Sequence, residues 1–293
     1  MLCKHQQDFY AYDGRAHKKV LIILLITLAT MFTEVVAGYL FNSVALMADG
    51  VHMSTHVLAF AITYTAYYLA KKWSKEGSFT FGTWKVEVLG AYTSGILLFF
   101  ASFLLLEEAF SKLLGGGDVE YDQALVVAFI GLGVNLLSAY LLHGEHHRED
   151  KAHRDLNLHG AFLHVLADLL TSVLAIIGLL TGKFLGLWFM DPLMALLGFV
   201  LIIRWSLGLM RESASILLDR EGKNPMLERI IKTLEEDGES RVYDIHLLRV
   251  HKDKYACIVG IETTGNYDLG YYQKLISGFR EIAHATIELK SCS

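Results

Sequence analysis

Apolar residues dominate the first 208 positions of the chain, in six long runs separated by short polar stretches. The runs lie near 19–41, 44–70, 87–111, 121–142, 158–182 and 186–208. Each has about 20 residues or more, the length that a helix needs to cross the hydrocarbon core of a bilayer. The pattern predicts a six-helix transmembrane domain over residues 19–208, after a short N-terminal segment of residues 1–18.

The pattern changes after the sixth run, because charged residues return and the apolar positions become periodic. The predicted elements are a helix over Pro225 to Glu236, strands over Val242 to Val250 and Tyr255 to Thr263 with a hairpin at Lys252-Asp253, a helix over Leu269 to Ile282 and a strand over Ala285 to Lys290. Residues 209–293 are therefore predicted to form a small α+β (ferredoxin-like) domain.

Composition agrees with a membrane protein. Of the 293 residues, 53% are hydrophobic, the mean hydropathy is +0.38 and only two are prolines. The net charge of −5, without any Lys/Arg-rich tract, indicates no nucleic-acid partner. The lipid bilayer itself is a predicted partner.

Positive charge is concentrated on one side of the predicted topology. Basic residues precede the first run, lie between the second and third, and lie between the fourth and fifth: Arg15, Lys18, Lys19, Lys71, Lys72, Lys75, Lys85, Arg148, Lys151 and Arg154. The positive-inside rule then places both termini of this multi-pass protein in the cytoplasm. We expect the membrane to be a bacterial inner (plasma) membrane. The three cysteines would lie on that reducing side, where disulfides are not expected.

Two of the runs carry ionisable residues at the same helical spacing. His52 and His56 occur in the second run and His164 and Asp168 in the fifth, four residues apart in each case, so each pair shares one helix face. A single histidine in an apolar helix is more often a packing residue than a ligand. Four ionisable groups at bilayer depth each cost about 2.5–3.5 kcal/mol, which favours a common purpose. Three roles for Asp49 stay open: a partner that orients the His52 imidazole, an additional metal ligand, or a polar group at the entrance of the site.

Imidazole and carboxylate together indicate a divalent transition metal. Three nitrogens and one carboxylate oxygen suit Zn, Co or Ni better than Mg, Ca or Mn. A further set of histidines lies in the charged loop 143–157: His143, His146, His147 and His153. Two interpretations of this loop stay open, a weak metal-collecting tract and a solvated linker.

The chain resembles the cation diffusion facilitator family over nearly its whole length. The segments that carry the resemblance are Leu46-Met47-Ala48-Asp49-Gly50-Val51-His52-Met53, Phe81-Gly82-Thr83-Trp84-Lys85-Val86-Glu87, His164-Val165-Leu166-Ala167-Asp168, Asp191-Pro192-Leu193 and Asp244-Ile245-His246-Leu247. Zinc-transporting members usually have an acidic residue where this chain has His56. That departure is similar to the cobalt and nickel efflux branch.

The resemblance implies a secondary active transporter rather than an enzyme. It implies proton-coupled efflux of a divalent metal by a homodimer, with the ion bound by His52, His56, His164 and Asp168 and with no cofactor. For the C-terminal domain the resemblance leaves two interpretations open. One is a regulatory metal site near His246 and His284, to which Cys257 or Cys292 would add a soft ligand, and the other is a domain without metal, because further ligand positions of some members are here Tyr243 and Gly260. Lys85 and Asp219 stand where some members join the membrane part to the tail by a charge interlock.

Three alternatives remain at this stage. A zinc exporter of the same family differs only in its cargo. A membrane metal sensor is separated from a transporter by measuring whether metal crosses a bilayer. A membrane-embedded metalloenzyme is disfavoured, because the chain lacks a His-Glu-x-x-His motif and has no spare carboxylate placed as a general base beyond Asp49.

Overall fold

The computed structural model describes residues 14–40, 44–76, 78–115, 121–146 and 155–291. Six long helices come first: α1 (Gly14–Leu40), α2 (Val44–Trp73), α3 (Trp84–Gly115), α4 (Tyr121–His146), α5 (Leu156–Leu185) and α6 (Met190–Leu217). A smaller C-terminal domain follows, with α7 (Pro225–Leu234), β1 (Ser240–His251), β2 (Lys254–Thr263), α8 (Leu269–Ser277) and β3 (Ile282–Ser291). Residues 1–13 lie outside the described part, and α1 begins before the predicted first run.

The helical part has the surface of a membrane protein. Among the described residues, four helices are long and apolar enough to cross a bilayer, namely α3, α4, α5 and α6. Large apolar side chains such as Phe32, Phe100, Phe129 and Val200 are exposed on the outside of the bundle. Lipid, rather than water, suits such a surface. Helices α1 and α2 have 27 and 30 residues, and the count of six spans stays a prediction.

Helix α5 lies at the centre of the bundle. It contributes Leu163 and Ala167 to an apolar core shared with α3 and α6. It contributes Ala161 and Val165 to a second core shared with α1 and α2. It packs against α4 through a third cluster that contains Ile176. The polar side chains of Asn157 and His164 on α5 are therefore buried among other helices, each only 1% exposed.

Two boundaries differ from the sequence predictions for local reasons. Gly186 adopts φ +70° and its N–H closes the end of α5, so α6 begins at Met190 rather than near residue 186. The predicted loop 143–157 is shorter, because α4 continues to His146 and α5 begins at Leu156. The α5 start is fixed by Asp155, whose carboxylate accepts the N–H groups of Asn157 and Leu158.

The C-terminal domain has the predicted order of elements. Its sheet has the strand order β1-β2-β3, with β1 antiparallel to β2 and β3 parallel to β2. A parallel pair needs a crossover, which α8 supplies. Helix α8 ends at Ser277 instead of Ile282, because β3 already begins at Ile282. The core between the helices and one sheet face contains Ile230, Leu234, Val259, Ile261 and Tyr272.

Candidate metal site

Three of the four predicted transmembrane ligands lie together between α2 and α5. The His56 Nδ1 atom is 2.9 Å from the Asp168 Oδ2 atom. The His56 and His164 rings meet edge to face with their centroids 5.4 Å apart. His56 is 5% exposed and His164 is 1% exposed. The structure therefore brings side chains from two helices to one buried place, as the matched spacing predicts.

The described side chains are arranged as contacts between one another rather than around an ion. Within the described ranges, no group of three or more His, Cys, Asp or Glu side chains surrounds a common centre. The Asp168 carboxylate faces the Nδ1 edge of the His56 ring directly.

The remaining predicted ligand, His52, and its neighbour Asp49 belong to α2, but their side chains lie outside the described part. His52 precedes His56 by one helical turn and so shares its face. Helices α2 and α5 run in opposite directions, as the contacts below show. The position one turn before His56 on α2 therefore lies level with the position one turn after His164 on α5, which is that of Asp168.

A polar seam continues from the histidines towards the C-terminal domain. Two turns along α2 from His56, the backbone oxygen of Thr63 accepts a 3.0 Å hydrogen bond from the Asn157 side-chain amide. One turn further, the Tyr67 hydroxyl donates a 2.7 Å hydrogen bond to the Asp155 carboxylate. We call this the α2–α5 seam and define it by His56, Thr63 and Tyr67 on α2 and by Asp155, Asn157, His164 and Asp168 on or beside α5.

Asp155 joins three parts of the molecule. One carboxylate oxygen caps α5 through the N–H groups of Asn157 and Leu158, each at 3.1 Å. The other accepts from Tyr67 and lies 3.2 Å from the Nζ of Lys252 at the β1–β2 hairpin. The side chains of Asp155 and Lys252 are only 6% and 14% exposed. A carboxylate this well buried is stabilised by such a partner and by its hydrogen bonds.

Sequence reasoning missed this part of the seam. It placed Asp155 among the charges of a loop and gave Asn157, Thr63 and Tyr67 no role. A signal for Asp155 was available, because Asp immediately before an apolar helix is a capping pattern. No local pattern identifies the contact with Lys252, which lies 97 positions further along the chain.

A second lysine–aspartate pair joins the bundle to the segment after α6. The Lys85 Nζ donates to both carboxylate oxygens of Asp219, at 2.6 and 2.8 Å. Asp219 has φ +52°, the left-handed region that Asp tolerates better than most non-glycine residues. Both side chains are about one-third exposed. The contact expected from the resemblance is present, whereas its role in coupling stays a prediction.

The β1–β2 hairpin is seated against the start of α3. The Arg249 guanidinium lies over the Trp84 ring, 5.6 Å from its centroid, and the His251 ring is 6.0 Å from the same indole. His251 Nδ1 lies 3.3 Å from the Asp253 carboxylate. Burial lowers the pKa of His251, even though Asp253 acts in the opposite direction. The neutral imidazole is thus the form that fits this contact.

The predicted C-terminal histidines are not brought together. His246 lies on β1 and His284 on β3, with β2 between them. His246 is 63% exposed and 3.2 Å from the Asp244 carboxylate, while the His284 Nε2 is 3.4 Å from the Thr286 hydroxyl. Strands are spaced about 4.8 Å apart, so these two rings do not share an ion within one copy of the domain.

The cysteines add little to a metal site on that sheet. Cys257 is fully buried, and burial raises the pKa of its thiol to about 11. A thiol, unlike a thiolate, is a poor metal ligand. Cys292 lies outside the described residues, as do His147 and His153. His143 and His146 fall in α4, and their side chains are likewise outside the described part.

Comparison with known proteins agrees with this architecture. The profile of the cation efflux transmembrane domain matches residues 20–218. The "Cadmium, cobalt and zinc/H(+)-K(+) antiporter" of Bacillus subtilis is 32% identical over 238 residues, covering 80% of this chain and 75% of the relative.

Two further relatives match almost end to end. The "Zinc transporter ZitB" of Escherichia coli is 30% identical over 292 residues, covering 98% of this chain and 91% of the relative. The "Metal cation efflux system protein CzcD" of Cupriavidus metallidurans is 28% identical over 292 residues, covering 98% and 89%. With its bundle of apolar helices and its small C-terminal sheet domain, the chain is an integral membrane protein that belongs to the cation efflux, or cation diffusion facilitator, family.

Proposed function

We propose that this protein exports a divalent transition metal from the cytoplasm in exchange for protons. The ion is held between α2 and α5 by His52, His56, His164 and Asp168. The observation that carries the proposal is the convergence of His56, His164 and Asp168 from two helices at one buried place. Burying such groups is expensive unless they bind something or one another. The names of the relatives describe metal transporters and also support the proposal.

The geometry supplies a physical reason for proton exchange. A neutral imidazole nitrogen binds metal, whereas a protonated one does not. A proton on the His56 imidazole is stabilised by the nearby Asp168 carboxylate, and in our proposal the metal ion takes the place of that positive charge. Proton and metal therefore exclude each other at this site. Exposing the site alternately to the two sides of the membrane exchanges one for the other.

The donor set bears on which metal is carried. Three imidazoles and one carboxylate favour Co, Ni or Zn over the hard cations, and the nitrogen of His56 in place of the acidic residue usual in zinc transporters favours Co or Ni. Zinc is the second candidate, because the names of several relatives include it. Cobalt is common to both arguments, so we propose cobalt as the first ion to test.

The remaining parts of the proposal concern topology and assembly. The six apolar runs and the one-sided distribution of Lys and Arg support six spans with both termini and the C-terminal domain in the cytoplasm. The bacterial source of the relatives described above supports a bacterial inner membrane. The exposed outer face of the C-terminal sheet is compatible with a homodimer. Within this topology, the Asp155 end of the seam faces the cytoplasm and the Asp168 end lies deeper in the membrane.

The test is metal uptake into everted membrane vesicles, in which the cytoplasmic face points outwards. Co²⁺ or Zn²⁺ is added outside, and internal metal and internal pH are followed with separate dyes. Wild-type protein should accumulate metal when the vesicle interior is acidic and should release protons as metal enters. Replacing His164 by alanine should abolish both signals.

His246→Ala is the matched control, because it also removes one imidazole but from an exposed strand. Metal uptake without any dependence on the proton gradient would contradict exchange and indicate a channel. Metal binding without uptake, in vesicles where the protein is correctly inserted, would favour a membrane metal sensor.

A further inference from the structure

Arg204 is a charged residue within the apolar length of α6. This helix is long and apolar enough to cross a bilayer over Met190–Leu217, and Arg204 is the single charged residue between Asp191 and Arg211. It lies about 20 Å along the helix from Asp191 and about 10 Å from Arg211. A charge at such a depth is costly in lipid and is usually met by a partner.

The packing of α6 fixes the direction in which Arg204 faces. Ile202, Ser206 and Leu209 are buried on the side of α6 that packs against the other helices. At about 100° per residue, Arg204 projects from the opposite side, where it is exposed. Within the described ranges, neither its guanidinium nor that of the exposed Arg211 forms an ion pair or a hydrogen bond. The partner of Arg204 therefore comes from outside the described part of a single chain.

A gap lies between the two arginines on the same exposed stripe. Gly208 follows Arg204 by one helical turn, and Arg211 follows Gly208 by one more. Gly208 is exposed, and a Cβ added there meets, apart from the helix itself, nothing of the described residues within 4 Å. Long arginine side chains reach this space from both sides. We call Arg204 and Arg211, with Gly208 between them, the α6 arginine pair.

The stripe is apolar on the other side of Arg204. Leu193, Leu197 and Val200 continue the same helix face towards the start of α6, and all three are exposed. An exposed apolar face on a membrane helix suits contact with acyl chains. The face thus presents apolar side chains deep in the membrane and two cations nearer its boundary. A phospholipid has its acyl chains and its phosphate in the same order.

Phosphate is chemically well matched to this place. Guanidinium groups form bidentate, charge-assisted hydrogen bonds with phosphate oxygens, and basic sites near the ends of membrane helices bind anionic headgroups. We propose that the α6 arginine pair binds the phosphate of an anionic phospholipid over Gly208, with an acyl chain along Val200 and Leu197.

The direction of α6 assigns this lipid to one leaflet. Helix α6 leads into the C-terminal domain, so the lipid belongs to the leaflet on the side of that domain. A lipid brings negative charge and apolar chain together, as this face requires. A carboxylate from a second copy of the chain would bring the charge alone.

The experiment counts lipids bound to the full-length protein in non-ionic detergent, by native mass spectrometry at increasing dioleoylphosphatidylglycerol. Arg204→Gln and Arg211→Gln should each weaken the tightest binding event at least about tenfold, because each removes a hydrogen bond between charged groups. Arg220→Gln is the matched control, since it removes an exposed arginine that follows the end of α6 and lies outside the stripe. It should leave the binding constant unchanged.

Gly208→Leu tests the gap between the arginines. It keeps both charges, but its side chain fills the space assigned to the phosphate. Binding should weaken as much as in Arg204→Gln. The Tm without lipid should not fall, because leucine favours a helix more than glycine does. Added dioleoylphosphatidylglycerol should then raise the Tm of the wild-type protein and leave that of Gly208→Leu unchanged.

Three results would overturn the inference. Wild-type lipid binding in both Arg204→Gln and Gly208→Leu would show that the lipid does not bind at the arginine pair. Equal binding of dioleoylphosphatidylcholine, or an equal rise in Tm with inorganic phosphate, would exclude an anionic lipid as the specific partner. Loss of a dimer in Arg204→Gln, with lipid binding unchanged, would assign Arg204 to a second copy of the chain. None of these measurements involves metal, so they test this inference separately from the proposed transport.

Discussion

The bundle and the C-terminal sheet both carry histidine near carboxylate, but in opposite surroundings. Between α2 and α5 the His56 and His164 rings are almost completely buried, and Asp168 lies within contact distance. On the sheet, His246 and Asp244 are 3.2 Å apart as well, but their side chains are 63% and 50% exposed. Distance alone does not distinguish the two places.

The difference in burial decides what each place can do. An exposed His–Asp pair exchanges its contacts for water at little cost, so its contribution is about 0–1 kcal/mol. A buried pair cannot replace its contacts by water, so removing one partner leaves an uncompensated buried charge at a cost of several kcal/mol. The two places therefore differ in solvent exposure and not in ligand chemistry, and the following four predictions test that contrast.

The largest effect is expected at the Asp168 end of the seam. His164→Ala and Asp168→Ala should each reduce metal flux at least about 100-fold, more than the loss of a partner that merely supports a metal ligand. Membrane insertion should persist, because the apolar cores around α5 stay intact. Flux per inserted protein in everted vesicles measures this. Near wild-type flux in either variant would contradict the site assignment.

The next effect concerns metal ranking at the same place. His56→Asp replaces an imidazole nitrogen by a harder oxygen and restores the acidic residue usual in zinc members of the family. The preference should move from cobalt or nickel towards zinc. Competition between Co²⁺, Ni²⁺ and Zn²⁺ at equal concentrations reads the ranking directly, with His246→Asp as control. An unchanged ranking would show that His56 does not determine the metal preference.

A smaller effect is expected at His251, which is the mostly buried histidine of the C-terminal domain. Burial lowers its folded-state pKa below the unfolded value of about 6.5. Its contribution to stability is therefore present above pH about 6.5 and is lost as the pH falls through the folded pKa. Between pH 7.5 and 5.5, the wild-type Tm should fall by a few degrees more than that of His251→Gln. Parallel pH profiles of the two proteins would contradict a buried neutral His251.

The smallest effect is expected on the exposed sheet face. Replacing His246 and His284 by alanine together should change flux less than about twofold and Tm by less than about 1 °C, since exposed substitutions rarely exceed about 0.5 kcal/mol. Flux at limiting metal is the sensitive measurement. A tenfold loss of flux would indicate a functional metal site on this sheet and contradict the proposed difference from the bundle.

Much of the fold could be predicted from local pattern. The long apolar runs gave rise to helices close to their predicted positions, and the order of elements after residue 225 is confirmed. The ends were less predictable, because they depend on single contacts such as the left-handed Gly186 after α5. His56, His164 and Asp168 could be singled out because their spacing repeats on two helices.

The rest of the site could not be predicted in the same way. Tyr67 and Asp155 meet across 88 positions, and Asp155 and Lys252 across 97. Neither contact produces a periodic pattern in the sequence, because each depends on the relative positions of elements that are far apart along the chain. Asn157 and Thr63 look like ordinary polar residues of apolar helices until the antiparallel register of α2 and α5 is known.

Gly90 lies where α3 contacts both α2 and α5. A Cβ there would stand 2.5 Å from that of Ala66 on α2 and 2.8 Å from the Asn157 side-chain oxygen on α5, so side chains of both helices pack directly against the backbone of α3 at this point. His164 lies two turns from Asn157, about 10 Å, and His56 lies almost three turns from Ala66, about 15 Å. A tilt of about 10° around such a fulcrum displaces a side chain at these distances by about 2 Å. The 2.9 Å contact between His56 and Asp168 would then break while the fulcrum itself hardly moves.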